Sequence, residues 1–598
     1  MQSFKALLTL RQVVENTKCL LQQPALPDDS QHSIRNPEVA CLYPEGFVTL
    51  EVDAAYRLAG GAVGSTAGRR QYLTDLASKY EQLVKRFLSI PLVQKHGALI
   101  ILILCMRPST RFNHHLRIFA PSDSLTIAAR LRAVAVQALA TILQMDVRLF
   151  GDLTDPSAAL CQMLSSAKVG GLSLPDPVVL AAPVALADLA DTLPPLRSDP
   201  IVGHLLTDTS QWINSPTAFL AEAAQYFPIL VSRSTFTEAQ PHTQYDRNPP
   251  TIAQMILCPT TAIPVLERLH LLSSRRPQSF FVHAEYVHRH ELLLGLATVP
   301  GPAVPTPAAV HIAEAPATAP LPTALTVFAH AGIRAASQKG AAALLTAWSI
   351  PADTLLSDYA LQYFVCARLR LPFPFFQNPP MHCHPRCHFI PPSRPASHSH
   401  HPNLFLIAAL ALHHIACGAS GKSLARHNAI CRILVKAVCK ELGVTPQLIE
   451  RLHSSTESRR MVDAVVTAFQ NTPEHLGIDA TVSVSLLPSY IRAAARSGTA
   501  IFQQRANEKK KKHEGFSADQ TGSKGFLAMV MNHLGGTGPA EWWKWFDAAF
   551  AQAVLTELRT GVVYRSAMQR KAFALQKAQS ALMRASADMI ARCMEDPQ

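Results

Sequence analysis

Met461-Val-Asp-Ala-Val-Val-Thr467 and Gly477-Ile-Asp-Ala-Thr-Val-Ser-Val-Ser485 alternate with period two, the pattern of strands with one buried face. In the second segment Ile478, Ala480, Val482 and Val484 point one way, and Asp479, Thr481, Ser483 and Ser485 the other. The spacing of Asp463 and Asp479 suits a hairpin that brings both carboxylates to one edge. Two carboxylates there would hold Mg2+, which polarises a phosphodiester and activates a water.

Upstream, SLARHNAICRILVKAVCKELG (423–443) predicts one helix, with Ser423 as N-cap and Gly443 as its stop. Ile430, Ile433, Leu434, Ala437 and Val438 form its buried stripe. Arg426, His427 and Asn428 lie in the first turn, where free backbone N–H groups and the helix dipole favour phosphate, which makes them nucleic-acid-binding candidates. Downstream, residues 488–513 predict a helix ending Asn-Glu-Lys-Lys-Lys-Lys-His, whose Lys510, Lys511 and Lys512 would also bind phosphate. Phe526 to Leu534 is a third strand stopped by Gly535-Gly536. Closing helices begin after Thr537 and carry Trp542, Trp543 and Trp545 as packing residues, and an amphipathic helix runs from about Ala567 to Cys593. Strand, strand, basic helix, strand, helix is the order of a small α/β nuclease core.

The chain has 598 residues, 48% of them hydrophobic, enough for several cores rather than a disordered polymer. Its net charge of +13 favours a polyanionic partner, DNA or RNA. Twelve irregularly spaced cysteines read as reduced thiols with at most one metal site. Arg11, Glu15 and Lys18 interrupt the N-terminal apolar pattern, so no signal peptide is expected there. The longest apolar run, Ala98 to Met106, is roughly half the ~20 residues of a membrane span and predicts a buried helix. An intracellular protein follows, nuclear if it acts on DNA; oligomeric state is not legible.

Residues 1–66 form an N-terminal segment that is hard to read, in which Gly60-Gly-Ala-Val-Gly-Ser65 predicts a turn before a helix. Residues 67–235 are a helical domain: 69–90 carries one apolar stripe, 92–106 a second helix, and a third starts after Ser122 or Asp123 as N-cap. Asp176-Pro177 places an N-cap and a first-turn proline before a helix running to about Leu193. Residues 236–330 read as a Pro/Ala-rich linker region, and 331–380 return to helical periodicity. Residues 381–420 are a His/Cys-rich segment, and 421–598 the α/β domain with its closing helices. Cys383, Cys387, His413 and Cys417 supply a Cys3His zinc ligand set in two close pairs. The 25 residues between the pairs and the eight histidines from 382 to 414 leave open a loosely ordered loop, and His414 could replace His413.

The order of GGAVGS (60–65), YLTDLASKYEQLVKRF (72–87), HGALIILILCMRPSTRFNHHLR (96–117), AKVGGLSLPDP (167–177) and Arg-Leu-Arg-Leu-Pro (368–372) resembles the C-terminal part of non-LTR retrotransposon reverse transcriptase proteins. That resemblance implies a helical thumb and connection, a zinc-knuckle-like segment and a restriction-like endonuclease domain that follows its cysteines with a basic-His-Asn triplet. It implies no polymerase activity, since the only Asp-Asp pair is Asp28-Asp29 in a polar, proline-flanked stretch. The expected fold is mainly α-helical, with a small C-terminal α/β PD-(D/E)xK-nuclease-like domain. In that pattern Asp463 and Asp479 are the two acids; Val462 stands where proline is usual and Thr481 where lysine is expected. Some retroelement nucleases of this type take the lysine from the next helix beside a glutamate, a role open here to Glu508 with Lys509 or Lys512. The implied activity is Mg-dependent nicking of DNA; the alternative is a noncatalytic nucleic-acid-binding or helical scaffold protein, including a decayed element copy.

Overall fold

Strands β1 (Leu20–Gln22) and β2 (Val48–Leu50) pair in parallel, and β3 (Ala55–Leu58) and β4 (Gly61–Gly64) form an antiparallel hairpin. The glycine-rich stretch expected as a turn is therefore a strand, which leads almost directly into helix α1 (Thr66–Leu88). Beyond these strands, the computed structural model describes residues 66–90, 94–150, 158–197, 324–346, 352–371, 415–416, 422–448, 462–467, 475–487, 489–513, 525–561 and 566–595, with scattered positions from 278 to 294.

The described residues are mostly helical, with a small mixed sheet near the C-terminus. Helix α1 buries Leu73, Ala77, Tyr80 and Val84 as one stripe, and the Tyr80 hydroxyl donates to the Met106 carbonyl. The apolar run expected as a buried helix lies in α2 (Lys95–Leu104) as far as Leu104; its Leu99, Leu102 and Ile103 are core residues, while Ile101 and Cys105 are exposed. Helices α3 (Pro108–Ile118) and α4 (Pro121–Leu143) follow. Ala120 caps α4, with Pro121 in the first turn, rather than Ser122 or Asp123. The Asp123 carboxylate is buried and taken by Arg69 (2.8 Å) and Arg70 (3.4 Å) of α1, a tertiary use that local pattern does not reveal. Helix α4 is long and apolar enough to cross a membrane by length and composition, but 56% of its apolar window is buried inside the protein.

After α5 (Ala158–Met163) comes α6 (Pro177–Arg197), with Asp176 accepting from the Val178 N–H at 3.0 Å as its position before Pro177 requires. The same carboxylate receives Arg132 at 2.9 Å, and Arg289 lies 3.7 Å from it and 3.2 Å from Glu285. Desolvation lifts the Glu285 carboxyl to about 7 against the pull of Arg289. Glu285 and Arg289 fall inside the stretch expected as linker, as does the start of α7 (Ala324–Ala336). The buried face there mixes this ion pair with Phe281 and Leu294, so its burial is not written as a continuous apolar stripe.

Helix α8 (Asp358–Leu369) starts at Ser357, whose hydroxyl accepts from the Ala360 N–H. Near its end Arg368 is fully buried and donates to the carbonyls of Gly171 (2.9 Å), Ala341 (2.8 Å) and Ala167 (3.0 Å). The 167–177 and 368–372 phrases therefore meet in space: one is the loop, the other the arginine that fills it. Burial lowers the Arg368 guanidinium to about 9.

Helix α9 (Lys422–Leu442) begins one residue before the expected cap and ends at Gly443, whose φ of +67° is the left-handed stop. The sheet follows: β5 (Gln447–Leu448), β6 (Ala464–Thr467) and β7 (His475–Ser483), then helices α10 (Ile491–Arg496) and α11 (Ala500–His513), then β8 (Gly525–Asn532) and β9 (Thr537–Gly538). Its order is β5-β6-β7-β8-β9, all antiparallel except β7 with β8. Residues 488–513 thus form two helices, separated where Ser497 turns extended, and together they make the crossover that a parallel pair needs. Helix α11 packs on β8 and β7, so the polar face of β7 is covered and Asp479, Thr481, Ser483 and Ser485 are buried with the apolar one. Helices α12 (Ala540–Thr560) and α13 (Ala567–Glu595) close the fold; α12 packs on α9, and its Trp542, Trp543 and Trp545 are buried in an aromatic cluster with Phe546, as expected of core residues.

Two buried histidines tie stability to pH. His96 Nδ1 accepts from the Leu356 N–H at 3.0 Å, and burial lowers its ring to about 4. His533 is lowered to about 3, first by burial and then by the Arg426 charge. The unfolded rings take up protons below about 6.5, so folded-state stability is full above that pH and is lost as pH falls toward 4 and 3. The expected loss at pH 5 is roughly 2 kcal/mol per ring, read as a fall in the urea midpoint between pH 7 and pH 5. Replacing His533 by Gln should flatten that dependence.

Candidate metal and nucleic-acid site

In the β6–β7 ladder Ala464 lies opposite Ile478, and the Asp463 N–H donates to the Ile478 carbonyl at 2.8 Å, which sets Asp463 across from Asp479. Asp463 stands just before β6 rather than within it. Both carboxylates are buried, Asp479 completely. Asp463 Oδ2 accepts from the Ala480 N–H at 2.6 Å and lies 2.9 Å from His427 Nε2. Asp479 Oδ1 receives Lys509 Nζ at 2.8 Å, and its Oδ2 lies 2.8 Å from His513 Nε2. Lys509 and His513 are one turn apart on α11, which the crossover lays over β7 and β8.

His427, Asp463 and Asp479 each present a donor atom within 4.8 Å of the other two. An octahedral ion with bonds of about 2.1 Å holds its donors roughly 3 to 4.2 Å apart, so a small side-chain rotation would close the trio on one ion. The donor chemistry fits: two carboxylates and solvent suit Mg2+ or Mn2+, while the imidazole adds affinity for softer divalent ions. Lys509 and His513 already occupy the two oxygens of Asp479, so an ion would have to loosen one of those contacts.

The other candidates separate. Arg426 is buried, donates to Ser586 Oγ at 3.1 Å, and belongs to the inner stripe four residues before Ile430, so it is no phosphate ligand. Burial lowers its guanidinium. Asn428 is half-buried in the same turn. Glu508 is exposed and held by Arg505 (2.5 Å) and Gln504 (3.2 Å), outside the donor group. Arg505 in turn reaches Thr481 Oγ1 at 3.3 Å, so the residue at the usual lysine position is tied to the same helix. Lys510 and Lys511 are exposed and Lys512 half-buried. Cys383, Cys387, His413 and Cys417 lie outside the described residues, as does Asp28-Asp29. Nothing in the sequence marks His513 beyond its spacing of four from Lys509.

Comparison of the chain with protein-family models, curated proteins and solved structures gives no match.

Proposed function

We propose that this chain is a retroelement-derived, reverse-transcriptase-like protein without a polymerase site, which binds nucleic acid and nicks DNA at a metal held by Asp463 and Asp479. The observation that carries this reading is the meeting of the two carboxylates with Lys509 delivered from the crossover helix, which supports a PD-(D/E)xK-nuclease-like site with its lysine on the next helix. Asp463, Asp479 and His427 would hold Mg2+, which when bound polarises a phosphodiester and lowers the pKa of a water. Lys509 holds a positive charge at the Asp479 oxygen, where it would steady a phosphate oxygen or the attacking water. The exposed Lys510 and Lys511 would guide the strand across α11.

A noncatalytic, nucleic-acid-binding reading draws on one specific observation. Both Asp479 oxygens are already engaged, one by Lys509 and the other by His513, and a closed network of this kind is also how a core buries charge. Lys509→Gln decides between them. Under the catalytic reading, Mg2+-dependent nicking of supercoiled DNA falls about 100-fold or more while DNA affinity changes less than about threefold. Wild-type protein that binds DNA equally well but never nicks it in Mg2+ or Mn2+ leaves the binding reading alone.

A further inference from the structure

Four basic side chains from separate parts of the chain gather around α7, and no carboxylate among the described residues makes an ion pair with any of them. His330 and Arg334 lie one turn apart on α7 itself. Arg370 follows α8 with a left-handed φ of 58°, which lays its stem across Gly332; a Cβ there would meet Arg370 Cδ at 2.7 Å. His290 reaches the Val169 carbonyl at 3.2 Å, in the loop that packs on α7 through Gly170 and carries the exposed Lys168. All four basic groups are half-buried, so solvent reaches the cluster.

Within it, Arg334 Nε and Arg370 Nη1 are buried donors with no acceptor. Burial, then Arg334 and Arg370, hold the His330 ring below its ordinary range; burial, then Arg334, do the same to His290 despite the Val169 carbonyl. Arg132 and Arg368, buried in the same helical body, are answered, the first by Asp176 and the second by three carbonyls; Arg107 and Arg426 also keep an idle Nε, but neither lies in a group of basic side chains around α7. Stacking like charges with idle donors costs stability unless an anion completes the group.

We infer that His290, His330, Arg334 and Arg370 form a binding site for a phosphate group of a nucleic-acid backbone. Guanidinium forks suit phosphate oxygens; both arginines are half-buried, and each keeps one N–H without an acceptor, Arg334 Nε and Arg370 Nη1. A nucleic acid fits better than a small phosphate compound because the whole chain carries +13, and because α7 packs on α10, the helix that leads into the lysines of α11. This site does not depend on cleavage at Asp463 and Asp479.

The test is therefore run in EDTA, where no metal-dependent cutting occurs. Fluorescence anisotropy with short labelled single-stranded and duplex oligonucleotides compares the wild-type chain with Arg334→Gln/Arg370→Gln. The double variant is expected to bind about tenfold or more weakly and to show a shallower fall of affinity with salt. Inorganic phosphate, against chloride at matched ionic strength, should raise the Tm of wild type and not of the variant. Equal affinity and salt slope in both proteins overturn the site; phosphate stabilisation without any change in oligonucleotide binding overturns the nucleic-acid assignment. Should the Gln variant fail to fold, Arg334→Lys/Arg370→Lys keeps the charge but loses the forks. That variant should still lose oligonucleotide affinity, and wild-type affinity in it overturns the proposal.

Discussion

Asp479→Ala is expected to abolish Mg2+-dependent DNA nicking, a loss on the order of a thousandfold or more, because it removes one of the two carboxylates on which an ion would rest. The same substitution strands Lys509 and the half of the pocket built around it. Lys509 Nζ and His513 Nε2 each lie 2.8 Å from the fully buried carboxylate, so its removal should also cost about 3–5 kcal/mol of stability. Asp479→Asn separates the two effects. The amide preserves shape and part of the hydrogen bonding, so the fold should survive at a Tm well above that of the alanine variant, while nicking stays absent. Nicking of supercoiled plasmid and thermal denaturation on both variants check this; an asparagine variant that cuts at the wild-type rate contradicts the assignment of Asp479.

Arg368→Ala is expected to be the most destabilising change in the helical part of the molecule. Its guanidinium donates to three carbonyls, of Ala167, Gly171 and Ala341, and Gln162 Nε2 bonds its own carbonyl at 3.0 Å and that of Gly170 at 2.9 Å. Truncation leaves the Gly171 carbonyl without a donor in a dry interior, while Ala341 keeps Gln579 Nε2 and Ala167 keeps the Gly170 N–H, and it opens a cavity under the 167–171 loop, with a cost of about 3 kcal/mol or more. Lysine would not rescue it, since one ammonium on a longer stem does not match three acceptors set by a planar fork. Urea denaturation gives the magnitude. Hydrogen exchange should show the 160–175 and 335–345 segments losing protection first; a loss under about 1 kcal/mol would mean that these carbonyls find other donors.

The alternation around Asp463 and Asp479 was enough to place Asp479 on a strand and Asp463 at the mouth of its antiparallel partner, because a period-two pattern constrains register as well as structure type. The stop at Gly443, the cap at Asp176 and the buried tryptophans were legible for similar local reasons. What escaped was decided by tertiary contacts. Asp123 looked like a cap and is an ion-pair partner of Arg69; Arg426 looked like a phosphate ligand and lies on the buried stripe. The segment holding Glu285 and Arg289 looks like linker because a buried ion pair interrupts the apolar face that Phe281 and Leu294 share with it. At the site, His427 was read as a nucleic-acid contact, and only the packing of α9 beside β6 and β7 turns its ring to Asp463. The choice between Lys509 and Lys512 needed the phase of α11 over the sheet, which a run of four lysines cannot reveal.

Direct binding of Mn2+, followed by its EPR signal during titration of the full chain, tests whether the paired carboxylates make a metal centre. The account requires a saturable class of bound Mn2+ that Mg2+ displaces and that Asp463→Asn and Asp479→Asn each remove from a folded chain. Bound Mn2+ that is unchanged in both variants, or no saturable binding by the wild-type protein, contradicts it.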